Sequence, residues 1–184
     1  MHVFVTGPPG SGKSTVVNKT IELISDRIAA RDRAGFIVAG FITYKGVDGD
    51  PNIYIESASE PLKRYAFAQS GPGGASGFRA DVLENEGAAL LEDAPEADLI
   101  CMDELGFMED AAPAFKKRVM ACLDGSVPII GALREKRRGN EISWHLPIKA
   151  HPSVTVLRVD ECNRDGLPSR IVNIIFGING YAGF

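Results

Sequence analysis

Apolar residues recur along the chain in two rhythms that take turns. Short apolar or alternating runs, "HVFVTG" (2–7), "FIVAGFIT" (36–43), "DLICMD" (98–103), "VPIIGAL" (127–133) and "SVTVLRV" (153–159), read as strands. Between and after them, helical spacing predicts helices over 13–30, 82–94, 111–123 and 167–176, the last with Pro168 in its first turn. Strands separated by helices predict an α/β fold around a mostly parallel, doubly wound sheet, with a ligand site beyond the carboxyl ends of the strands. Residues 44–80 break the rhythm. The pieces "NIYI" and "RYAFA" stand among Gly, Pro, Asp and Ser, which predicts a small antiparallel, β-rich insertion ending in a mobile loop at "SGPGGASG" (70–77). No internal repeat is visible, and "GINGYAGF" reads as a loose tail.

Composition narrows the picture. With 184 residues, 45% of them hydrophobic, the chain suits one domain over 1–184. A net charge of -4 argues against a general nucleic-acid binder, so no stable nucleic-acid partner is expected. Cys101, Cys122 and Cys162 are too far apart for a zinc or disulfide framework and read as reduced, mostly buried thiols. No apolar run is long enough to span a membrane and no signal peptide is evident, so the expectation is a cytoplasmic protein without a membrane partner.

The candidate chemistry starts at "GPPGSGKST" (7–15), which joins the first strand to the first helix. Gly7, four residues, Gly12, Lys13 and Ser14 fit the phosphate-loop spacing in the strand-to-helix context that the motif requires. Glycines let backbone N–H groups converge on an anion, and the helix N-terminus adds donors and partial positive charge. Lys13 can reach β- and γ-phosphates and the Ser14 hydroxyl can ligate Mg²⁺. Pro8 and Pro9 stiffen the loop, and Gly10, Ser11 and Thr15 complete it. A Gly-rich turn that only caps a helix is the plain alternative.

"ADLICMDELGFMED" (97–110) supplies a second element. Asp103 ends a buried strand where it can hold a Mg²⁺-bound water opposite Ser14. Glu104 can orient a water for attack on the γ-phosphate, or stand solvated at the strand end. Glu109 either overlooks the phosphates or begins the next helix. Thr43 could bond the γ-phosphate or its attacking water, or simply close its strand. "LREKRRGNEISWH" (133–145) carries Arg134, Lys136, Arg137 and Arg138, and residues 134–150 form a candidate lid. Arg134 directly follows a strand and is the best placed to stabilise transition-state charge, with a solvated charge run as the alternative. Trp144 either stacks on a base or anchors its segment to the core.

"HVFVTGPPGSGKST", "GFIT" (40–43), "DELGFME" (103–109), "PIIGAL" (128–133) and "NRDGLP" (163–168) stand in an order that resembles the thermophilic-type P-loop nucleoside-triphosphatases, the cancer-related nucleoside-triphosphatase family, over nearly the whole chain. The resemblance implies a three-layer, RecA-like P-loop fold and slow, Mg²⁺-dependent hydrolysis of ATP, GTP and other nucleoside triphosphates, with kinship to nucleotide kinases. It also implies that Asn163 and Arg164 flank the nucleobase, where a guanidinium stacked on a ring suits broad base specificity. The chain departs from the family pattern in "YKGVDGDPNIYI" after "GFIT" and in Asp160, where a hydroxyl residue is expected. Two rival readings accompany hydrolysis: a nucleotide or small-molecule kinase using the insertion and the basic segment as acceptor site and lid, and a nucleotide-dependent switch with little turnover of its own.

Overall fold

A computed structural model of the chain describes residues 1–29, 35–72, 74–135 and 141–177. In chain order its strands are β1 (His2–Gly7), β2 (Val38–Lys45), β3 (Asn52–Ser57), β4 (Arg64–Gly71), β5 (Gly74–Ser76), β6 (Leu99–Leu105), β7 (Ile129–Arg134) and β8 (Val154–Arg158). They form one sheet in the order β5-β4-β3-β2-β6-β7-β1-β8. The pairs β2–β6, β6–β7, β7–β1 and β1–β8 are parallel, whereas β2–β3, β3–β4 and β4–β5 are antiparallel. The central parallel strands β1, β6 and β7 are buried almost throughout, as strands covered on both faces must be.

The helices are α1 (Lys13–Ala29), α2 (Ala80–Val82), α3 (Pro113–Leu123), α4 (His145–Ala150) and α5 (Leu167–Ile175). One face of the sheet packs Val3, Val5, Cys101 and Ile130 against Val16, Val17 and Ile24 of α1 and Ile171 and Val172 of α5. The other packs Phe4, Phe41, Ile100 and Met102 against Leu83, Phe115, Val119 and Ile148. Helix, sheet and helix thus form three layers, and each apolar stripe read from the sequence faces one of two cores.

Several boundaries shift for reasons that lie outside the local pattern. β2 begins at Val38, not at residue 36, because the Ile37 N–H is taken by the Asp98 carboxylate (3.0 Å) before the ladder starts at Val38↔Leu99. It runs on to Lys45 because β3 offers a partner at Lys45↔Ile53. The stretch expected as a helix over 82–94 starts at Ala80, passes through a π-helical turn at Leu83–Gly87 and is followed by a short 3₁₀ turn at Ala94–Glu96. The expected loop at 70–77 contains the tight β4–β5 hairpin, with Ser70↔Ala75 and Gly71↔Gly74 paired. Helix α4 was not foreseen. It is short, has Pro147 inside it and lies in the stretch expected to form a lid. Within it, residues 141–150 are tied into the fold by buried Ile142, Trp144, His145 and Ile148. Lys136, Arg137 and Arg138, and the tail from residue 178, lie outside the described residues. Cys101 is buried and Cys122 partly so, but Cys162 is exposed on the loop after β8.

Candidate active site

The loop between β1 and α1 curls over the carboxyl edge of the sheet. Only glycine fits at position 7, since a Cβ there would lie 2.7 Å from the Val159 carbonyl oxygen and 2.8 Å from Ser11 Oγ. Gly12 has φ +95°, a left-handed conformation that side chains rarely adopt, and its carbonyl accepts the Val16 N–H (2.9 Å) to start α1. The first N–H groups of a helix lack intrahelical acceptors, and no acidic residue stands in the first turn of α1 to compete for them. Ser11 is buried behind the loop, and its Oγ has no hydrogen-bond partner among the described residues.

Lys13 lies flat under this loop, only 9% exposed, and its ammonium donates to the carbonyl oxygens of Gly7 (3.2 Å) and Pro8 (3.4 Å). It also pairs with Glu104 Oε2 at 3.1 Å. The other oxygen of that carboxylate, Oε1, accepts from Arg134 Nε at 3.0 Å. Glu104 is therefore held between two cations at the end of β6. The Arg134 guanidinium lies 5.9 Å from the centroid of the Phe107 ring, which steadies it from below. Thr43 fastens the same point from β2: it accepts the Glu104 N–H (3.1 Å) and donates to the Glu104 carbonyl (3.4 Å). Thr43 thus bonds the Glu104 backbone.

Asp103, joined to Glu104 by a cis peptide bond, is 3% exposed. Burial is the main reason its carboxyl is pushed up to about 6; the Glu104 charge adds to the rise, while the Ser14 hydroxyl and Lys13 oppose it. Its Oδ1 has no hydrogen-bond partner among the described residues. A buried carboxylate with an unmet oxygen beside a hydroxyl suits a small divalent cation, which draws its remaining ligands from water and substrate phosphates. No group of three or more His, Cys, Asp or Glu residues stands ready for a metal among the described residues, so such an ion would depend on the nucleotide for part of its shell.

The turn after Glu104 is pinned on both sides. The Gly106 N–H donates to Glu109 Oε2 (2.9 Å), and the Gly106 carbonyl accepts from Trp144 Nε1 (2.7 Å). Glu109 is 3% exposed, and burial raises its carboxyl to about 7 against the pull of the Gly106 N–H. Of the two readings of Trp144, the structure shows the core anchor.

A cleft of about 980 Å³ opens above these groups. Gly7, Pro8, Pro9, Gly10, Gly12, Lys13, Ser14, Thr15, Glu104, Glu109 and Arg134 all line it. Asn163 and Arg164 do not: their loop lies beyond β8, on the opposite flank of β1. Asp160 builds that loop by accepting the N–H groups of Cys162 (2.9 Å) and Asn163 (3.0 Å). The Asn163 amide is spent inside it, donating to the Arg158 carbonyl (2.9 Å) and accepting the Asp160 N–H (3.0 Å). Arg164 is exposed and leans over the phosphate loop, its Cδ 3.6 Å from where a Cβ on Gly12 would stand. Reading the sequence missed the far wall of the cleft, Ile53 and Phe67. The alternation in β3 puts Ile53 and Ile55 on one face but does not say that this face borders the site.

The NTPase family model matches residues 2–172. A nucleoside-triphosphatase THEP1 of Methanosarcina barkeri is 33% identical over 178 residues, covering 94% of this chain and 96% of its own. That of Methanosarcina acetivorans is 31% identical over 187 residues, covering 94% and 95%. The crystal structure of THEP1 from the hyperthermophile Aquifex aeolicus matches the fold with a TM-score of 0.72 at 21% identity, covering 95% of this chain and 99% of that one. The solution structure of a human cancer-related nucleoside triphosphatase does so with a TM-score of 0.73 at 24% identity, covering 97% and 99%. With its phosphate loop and acidic pair at one end of the sheet and a family match across nearly its whole length, the chain belongs to the NTPase family.

Proposed function

We propose that the protein hydrolyses nucleoside triphosphates, ATP and GTP among them, to the diphosphate and phosphate with Mg²⁺ as cofactor. The observation that carries this reading is the Glu104 carboxylate, held 3.1 Å from the Lys13 ammonium and 3.0 Å from Arg134 Nε at the mouth of the phosphate loop. A carboxylate so close to the lysine that serves the β- and γ-phosphates is within reach of a water attacking the γ-phosphate, which supports the reading.

The loop Gly7 to Thr15 wraps the phosphates, its residues other than Pro8 and Pro9 offering backbone N–H groups and Lys13 its charge. When the triphosphate draws the ammonium away, Glu104 exchanges that partner for a water, orients it and accepts its proton. Arg134, hinged at the end of β7, turns its guanidinium toward charge building on the transferred phosphoryl oxygens. Ser14 and Asp103 would hold Mg²⁺, which would neutralise part of the phosphate charge when bound. Asn163 shapes the loop that presents Arg164, whose guanidinium stacks on the nucleobase with little regard for its identity. The chain works in the cytoplasm without nucleic acid or membrane as partner; its charge of -4 supports the former, and no helix among the described residues is long and apolar enough to cross a membrane.

The test is phosphate release from a panel of nucleoside triphosphates with and without Mg²⁺. Metal-dependent release from several bases is expected, and its absence from all of them would refute the reading.

A further inference from the structure

Thr43 and Glu104 face each other where two ladders of the sheet give out. The parallel β2–β6 register runs from Val38↔Leu99 to Ile42↔Asp103 and stops there, one step short of Thr43 and Glu104. On the other flank, β6 pairs Met102 with Gly131 and next Leu105 with Leu133, so Asp103 and Glu104 together oppose Ala132 alone. Two residues against one make a bulge, which re-aims a side chain at the cost of ladder hydrogen bonds. Neither ladder pairs Glu104.

What the ladders leave, one hydroxyl takes up. Thr43 Oγ1 accepts the Glu104 N–H at 3.1 Å and donates its own proton, more loosely, to the Glu104 carbonyl at 3.4 Å. Branching at Cβ restricts the Thr43 rotamer, so the hydroxyl is aimed by its strand. That strand is held from its far side by β3, with Thr43 opposite Ile55. The bonds from Glu109 and Trp144 meet Gly106, two residues further on, and hold the turn there. Thr43 alone of these grips the peptide groups of Glu104 itself. The grip matters most as the cleft fills. Once the phosphates take Lys13, the carboxylate keeps only Arg134, whose side chain is 44% exposed at a strand end. A cation so placed balances the charge of the acid without fixing its position, whereas the main-chain bonds to Thr43 need not change when nucleotide enters.

We infer that Thr43 is the positioning residue of Glu104: its hydroxyl fixes where the carboxylate stands in the cleft and keeps it there while Lys13 changes partner. This rests on the hydrolase reading above, because Glu104 is the base of that reaction. Thr43 lines the cleft as well, but its hydroxyl proton is spent on the Glu104 carbonyl, so it acts through Glu104 and not on the phosphate.

The experiment measures single-turnover phosphate release from ATP with Mg²⁺, enzyme in excess, and nucleotide affinity by titration calorimetry. It compares the parent with Thr43→Val, Thr43→Ser, Glu104→Gln and the double variant Thr43→Val with Glu104→Gln. Valine keeps the shape and removes the hydroxyl, so release should fall by about ten- to a hundredfold while affinity stays within about threefold. Serine returns the hydroxyl and should bring release back to within about fivefold of the parent. In the Glu104→Gln chain, Thr43→Val should cost less than about twofold more, because the base it positions is gone. Retained affinity shows that the variant is folded; Thr43→Ala repeats the comparison should Thr43→Val not fold. Release by Thr43→Val within about twofold of the parent, or no recovery with serine, overturns the inference. So does an equal loss in both backgrounds, which would put the hydroxyl on the phosphate or the attacking water. Release by the parent, measured alongside, reports on the hydrolase reading by itself; if there is none, that reading falls and the inference with it.

Discussion

Lys13 and Glu104, ninety-one positions apart in sequence, meet at 3.1 Å and occupy each other's charge until a nucleotide intervenes. The contact is cheap to break at one end only. Glu104 keeps Arg134 on its second oxygen when Lys13 turns to phosphate, so the acid does not lose both cations on nucleotide binding.

Lys13→Ala removes the side-chain cation held beneath the phosphate loop. Nucleoside-triphosphate affinity should fall by about a hundredfold or more, the cost of a charge-assisted contact in a partly buried site. Titration calorimetry measures this, and the stabilisation that nucleotide gives in a thermal shift assay should vanish with it.

Glu104→Gln keeps the shape and loses the base. Affinity should stay within about threefold of the parent, while phosphate release falls by about two to four orders of magnitude. Single-turnover release separates the two quantities. Turnover at the parental rate would remove Glu104 from the chemistry.

Arg134 should not tolerate lysine. Its Nε reaches Glu104 and its plane lies near Phe107, and an ammonium offers neither geometry. Arg134→Lys and Arg134→Ala are both expected to lower kcat by about tenfold or more with little change in KM. A full rescue by lysine would show that only the charge matters.

Asp103 makes the nucleotide-free protein sensitive to pH. Its carboxyl is raised from the ordinary 3.8 to about 6, so between those values the folded chain holds a proton that the unfolded chain has lost. Stability from this group therefore declines as pH rises through that window, and the cost of ionised burial is complete above about 6. Asp103→Asn should stabilise the metal-free protein at pH 8 by up to about 3 kcal/mol, and by less at pH 5. Urea unfolding at the two pH values measures the difference, and Mg²⁺ should narrow it by stabilising the parent alone.

Trp144→Phe keeps the ring in the core and strips the Gly106 carbonyl of its donor. A loss of about 1–2 kcal/mol is expected in denaturant unfolding. Because Gly106 sets the turn beyond Glu104, kcat should drop with it.

The parallel half of the sheet and the phosphate loop were legible because each depends on neighbours in sequence: a buried run, a glycine at fixed spacing, a helix start. Asp103 and Glu104 were legible for the same reason, as the end of "DLICMD" and the residue after it. The Lys13–Glu104–Arg134 chain was not, because nothing local says that β6 and β7 lie beside each other with β1 next. Asn163 shows what else local reading leaves out. Its position suits a ligand, yet its amide is consumed by Arg158 and Asp160, and only coordinates reveal how a side chain spends its hydrogen bonds. Helix α4 escaped because one buried face of six residues, interrupted by Pro147, leaves too short a period to detect.

The place of β1 carries one more implication, for synthesis rather than catalysis. Both strands that border it, 129–134 and 154–158, come from the last third of the chain. A ribosome that has made the first hundred residues has already translated the whole nucleotide-gripping loop, yet has nothing to mount it on. At about 5–20 residues per second the nascent protein spends several seconds in that condition. Competence to grip a nucleotide should therefore arrive abruptly, once the strand at 154–158 has been made.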